Sequence, residues 1–110
     1  MHADRAPAGG REVNLTLAER IAENRRLSIL RTLEAAPSYT ANDSLLHTMV
    51  EEFGFRCSRD QVRSDIAWLR DQGLVTAEEV SGVYIVRATT RGCDVATGSI
   101  TAPGVKRRGP

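Results

Sequence analysis

Leu45, Leu46, Met49, Val50 and Phe53 recur at helical spacing and predict an inward-facing helix. Asn42 is a good N-cap for it and Gly54 a good stop. Upstream, Leu17, Ile21, Ile29, Leu30 and Leu33 form a stripe from Leu17 to about Ala35, broken midway by Arg25 and Arg26. Thr16 with Glu19 matches a capping box at its start, and Pro37 ends it. Downstream, Val62, Ile66 and Leu69 share one face of a segment running from about Arg59 to Gln72, capped by Ser58 with Gln61 and stopped by Gly73. The pattern then turns β-like: "LVTAEEV" and "VYIVRATT" flank a Ser81-Gly82 turn, the signature of a hairpin. "TRGCDVATG" reads as a short final helix with Thr90 as cap and Gly98 as stop.

The second and third helices are joined only by Phe55, Arg56 and Cys57 after a glycine, which fits a helix-turn-helix. The order predicts an α+β, mostly helical winged helix-turn-helix: three helices plus a β-hairpin wing and a short C-terminal helix, over residues 15–98. Residues 1–14, rich in Gly, Ala and Pro, predict a mobile N-terminal arm. Residues 99–110, "SITAPGVKRRGP" from Ser99 on, predict a basic tail without fixed structure.

Composition narrows the function. A chain of 110 residues supports one modest core. It has no apolar run long enough for a bilayer and no signal-type stretch near its start, so a cytoplasmic protein with no membrane partner is expected. Cys57 and Cys93 lack metal-ligand or disulfide-framework spacing and read as small half-buried hydrophobes. His2 and His47 are too far apart in sequence to suggest a ligand pair, and His47 is expected on a helix surface. No nucleophile–base set or phosphate loop appears, so neither an enzyme nor a cofactor or metal is expected. Net charge is only +1, but it is unevenly spread. Residues 38–55 hold Asp43, Glu51 and Glu52 without a base, while the tail holds Lys106, Arg107 and Arg108 without an acid.

"SRDQVRSDIAWLRDQGLV" (58–75) resembles the recognition-helix segment of ArsR- and MarR-type winged-helix regulators at Ser58, Val62, Ile66, Leu69, Gly73, Leu74 and Val75. "ATTRGCDVATG" is similar to the segment that follows the wing in many of them. The resemblance extends to the small ArsR-like proteins of Mu-like phages and prophages, down to the "PGVKRRGP" ending. It implies the fold and a DNA-binding role. The metal-sensing branch is not implied, because Cys57 stands alone where a cysteine-rich motif would be.

On a helical wheel Arg59, Arg63 and Arg70 gather on one flank, Gln61, Asp65, Trp68 and Gln72 on the other, and Asp60, Ser64, Ala67 and Asp71 outermost. Recognition helices read the major groove with their N-terminal half. This assigns Arg59, Asp60, Arg63, Ser64 and Ala67 to base edges and Ser58 with the helix N-terminus to a phosphate, with Gln61 also among the DNA-binding residues. Trp68 is expected to pack at the helix–wing junction. The wing offers Arg87 but also Glu78 and Glu79, an awkward set for phosphate. Lys106, Arg107 and Arg108 would add salt-sensitive contacts from the tail. The expected function is sequence-specific binding of double-stranded DNA by a transcriptional regulator. It would act as a homodimer through helix 16–35, with Leu17, Ile21 and Leu27 outside the core. The alternative is a phage assembly or DNA-packaging component, in which the winged helix meets a phage or prophage protein partner.

Overall fold

The computed structural model describes residues 15–109. Helix α1 (Leu17–Ala35) opens on the Thr16–Glu19 capping box, formed in both directions. A short 3-10 turn over Pro37–Tyr39 leads into strand β1 (Thr40–Asn42). Helix α2 (Asp43–Glu52) follows, its Leu45 N–H bonded to the Asn42 side chain at 2.8 Å. Helix α3 (Arg59–Asp71) carries the second capping box, between Ser58 and Gln61. Strands β2 (Val75–Val80) and β3 (Val83–Ala88) form the hairpin, and helix α4 (Thr90–Thr97) closes the chain of elements.

The sheet is antiparallel in the order β1-β3-β2, with Ala41 opposite Val86 and Val80 opposite Val83. At the hairpin tip Ser81 (φ 53°) and Gly82 (φ 80°) both take positive φ, as in the two-residue turns whose twist matches the strands. The result is a winged helix-turn-helix: α1, α2 and α3 pack as a helical body, and β2 and β3 form the wing. Strand β1 escapes the sequence pattern because it is three residues long and buries only Ala41.

Ile29, Leu30 and Leu33 of α1, Leu46 and Val50 of α2, and Val62, Ile66 and Leu69 of α3 are fully buried. They meet Leu74 from the link after α3 and Val75 and Val86 from the sheet. Two expectations about packing are corrected here. The buried face of α2 is Asp43, Leu46 and Val50, while Leu45 and Phe53 are 47% and 44% exposed. At about 100° per residue, that face is rotated toward Asp43 and away from Leu45, because the helix buries an acid as well as its apolar stripe. Leu27, assigned to a dimer seam, instead belongs to the core at 8% exposure, whereas Leu17 and Ile21 remain exposed.

Residues 99–109 are also not the free tail that their composition suggested. Ala102 and Val105 are buried, the Lys106 N–H donates to the Glu23 carbonyl (3.1 Å), and Arg26 donates to the Gly104 carbonyl (2.9 Å). Gly104, at φ 92°, lies flat against the Trp68 ring where any Cβ would collide. Gly/Pro punctuation here marks a close-fitting irregular strap. The N-terminal arm, 1–14, lies outside the described residues. Among the described residues no helix is long and apolar enough to cross a membrane.

Candidate nucleic-acid interface

The start of α3 is held by a buried carboxylate. Asp43, the first residue of α2, is completely buried. It accepts from Arg63 Nε at 2.6 Å, from Arg59 Nε and Nη2 at 3.3 and 3.4 Å, and from the Tyr84 N–H at 3.2 Å. One acid therefore ties together α2, the first two turns of α3 and strand β3. Burial alone would raise its pKa; the hydrogen bonds from Arg63, Arg59 and the Tyr84 N–H outweigh that and hold it below the usual carboxylate value. Arg63 reaches further into the wing: it donates to the Gly82 carbonyl at 2.8 Å and its guanidinium lies 4.5 Å from the centre of the Tyr84 ring.

This arrangement redistributes the residues that the sequence assigned to DNA. Arg63 faces Asp43 and the wing tip, so its main occupation is fixing the helix to the wing. Arg59 shares Asp43 but keeps a side chain 46% exposed. Ser58 and Gln61 are exposed, yet their side chains cap each other's backbone N–H groups at 3.0 Å. Asp60 and Ser64 stand exposed on the outer strip and Ala67 is half-buried beside them. Arg87 is exposed on β3, in register with Thr40 and Thr76, and thus lies on the sheet rather than at the wing tip. Lys106, Arg107 and Arg108 are exposed on the packed strap, where Arg108 donates to the Ala96 carbonyl at 3.3 Å. The structure gathers Ser58, Arg59, Asp60, Gln61, Arg63, Ser64 and Ala67 on one helix, and sets Arg87 and the strap cations on other elements.

A second buried acid explains the break in the α1 stripe. Asp65, 3% exposed, accepts a bidentate pair from Arg25, whose Nη2 lies at 3.2 Å, and has Arg26 Nε at 3.5 Å. Arg25 is held more firmly protonated by its bond to Asp65. Arg25 and Arg26 break the apolar stripe because they are the counterions that seat α3 on α1. Trp68 is corrected as well. It packs on the α1 side, 4.2 Å beneath the Arg26 guanidinium and against Gly104, and not at the wing. His47 lies partly buried on α2, its Nε2 2.8 Å from the Cys57 carbonyl. Cys57 and Cys93 are free and half-buried, and burial pushes both thiols up in pKa, away from nucleophilic thiolate.

The outward surface of α3 and the wing is mixed in sign. Asp60 and Asp71 are exposed on α3 and Glu79 on the wing face toward Arg63, against Arg59 and Arg70, while Glu78 lies on the opposite face of the hairpin with Thr76 and Arg87.

Comparison with known proteins places the chain beside two relatives. It is 46% identical over 90 residues to an uncharacterized protein, gp26, of Escherichia phage Mu, covering 82% of this chain and 93% of the relative. It is 36% identical over 77 residues to an uncharacterized protein of Haemophilus influenzae, covering 70% and 74% respectively. No family model and no solved structure matches.

Proposed function

This chain belongs to the family of the phage Mu protein gp26, and we propose that it is a DNA-binding protein that lays α3 in the major groove of duplex DNA as a transcriptional regulator. One observation carries the reading: the N-terminal half of α3 is exposed on its outer side and clamped from behind by Asp43. Preorganised side chains lose less entropy on binding than mobile ones. Arg59 and Ser64 are then the residues that meet base edges, Ala67 the one that can touch a thymine methyl, and Asp60 the one that can accept from cytosine N4. Arg63 is reassigned from reading bases to positioning the helix. We further propose a homodimer through α1, with the exposed Leu17 and Ile21 as its apolar contact, so that two helices meet two half-sites.

The test is fluorescence anisotropy with duplex DNA from upstream of the gene and an unrelated duplex as competitor. Ser64→Glu, which puts a carboxylate on the groove-facing strip without touching the core, is expected to weaken binding at least tenfold, in line with the ~1–3 kcal/mol carried by a specific contact. Equal affinity for both duplexes, unchanged by Ser64→Glu, would overturn the specific-regulator reading.

A second reading is favoured by the exposed acids Asp60, Asp71 and Glu79 on α3 and the adjoining wing face. Carboxylates facing phosphate cost affinity, and the same surface suits a basic protein partner in phage assembly or DNA packaging. That reading gains if the protein ignores duplex DNA and forms a complex of fixed stoichiometry with a purified packaging protein of the same phage.

A further inference from the structure

A second charged surface lies away from the outer face of α3. A cleft of about 450 Å³ runs between α1, the turn after α2 and the C-terminal strap. Its rim carries Arg31, Phe53, Phe55, Lys106, Arg107 and Arg108. None of these four cations forms an ion pair with a carboxylate among the described residues, whereas Arg25, Arg26, Arg59, Arg63 and Arg70 all do. The strap cations are not free to drift. Burial of Val105 and the bond from the Lys106 N–H to the Glu23 carbonyl hold their backbone against α1. Phe53 keeps 44% of its surface exposed beside them, with the Arg31 guanidinium 5.8 Å from its ring centre.

We propose that this cleft is a binding site for single-stranded nucleic acid, with Phe53 stacking on an unpaired base and Arg31, Lys106 and Arg107 holding the phosphates beside it. Fixed cations interleaved with aromatic faces are what such strands need, because every unpaired base has a π-face and every linkage a charge. A duplex is disfavoured, since its bases are already stacked and cannot reach Phe53. An acidic peptide fits less well. Neither wall of the cleft is a strand edge to which an extended peptide could add. The lining also includes Asn24 and Ser28 of α1, which break the continuous apolar floor that an amphipathic helix requires. Arg108 already donates to the Ala96 carbonyl, so it shapes the end of the cleft more than it holds a phosphate. Phe55, half-buried against the core, supports the wall.

The proposal stands independently of whether α3 reads a duplex. It is tested by anisotropy of the full chain with a short labelled oligothymidine and with a labelled duplex of equal length. Phe53→Ala is expected to weaken oligothymidine binding about tenfold, Phe53→Trp to preserve it, and Arg107→Ala to weaken it and lessen its salt dependence. Ser64→Glu on α3 should leave the single strand unaffected, and Phe53→Ala should leave the duplex unaffected, so the two surfaces fail separately. If Phe53→Ala melts early, Phe53→Leu makes the same test, keeping apolar bulk without a stacking face. Oligothymidine binding that is absent, or that is indifferent to these Phe53 substitutions, overturns the proposal. So does a glutamate-rich peptide that displaces the strand at matched charge and shows the same dependence on Phe53.

Discussion

Asp43 is the residue on which the presentation of α3 turns. Replacing it with Asn leaves Arg59 and Arg63 able to turn to solvent but weakens the bonds that Asp43 makes from α2 to α3 and to β3. The expected loss is about 1–3 kcal/mol, the usual cost of a buried polar group left short of partners, read from urea unfolding. Its pH signature has a definite sign. A carboxyl held below its ordinary value in the fold contributes stability above the unfolded pKa of about 3.9, and that contribution is lost as pH falls through the folded value. The protein should therefore lose stability on acidification below about pH 4, and Asp43→Asn should lose less over the same interval. Parallel acid slopes for the two proteins would show that Asp43 contributes nothing of the kind. Little of this was legible beforehand. Asp43 looked like one member of an acidic stretch, because its partners at positions 59, 63 and 84 are separated from it by 16, 20 and 41 residues. Asp65 and Arg25, 40 residues apart, were hidden in the same way. The available signal was a matched interruption: two arginines breaking the α1 stripe and an acid beside the α3 stripe.

Among the elements, the helices were readable because their ends are written locally. Thr16 with Glu19 and Ser58 with Gln61 form the boxes that their spacing implies, and the hairpin turns at Ser81-Gly82. Thr89, not Thr90, caps α4, a shift of one residue. The C-terminal strap was misread because its order comes from distant partners and not from its own pattern. Gly104 is the point of closest fit, so Gly104→Ala should push the strap off Trp68. The expected loss is about 1–3 kcal/mol, as for other overpacked sites. Trp68 is the single tryptophan in the chain, so its emission should move to the red in this variant. A variant with unchanged emission and unchanged stability would show that the strap does not rest on the ring.

At the scale of the whole molecule, a net charge of +1 conceals a division of surfaces. The outer side of α3 and the adjoining wing face present Asp60, Asp71 and Glu79 with Arg59 and Arg70, while the cleft behind α1 presents Arg31, Lys106, Arg107 and Arg108. Bulk electrostatics cannot choose between these faces, since neither dominates the net charge. The central proposal is that α3 binds duplex DNA, and amide chemical shifts test it residue by residue. In a titration of isotope-labelled protein with duplex DNA from upstream of its gene, the largest shifts are expected over Ser58–Ala67. Smaller shifts are expected along β2 and β3, and none over the 105–109 strap. Shifts confined to Phe53, Phe55 and the strap, or no shifts at all, would contradict it.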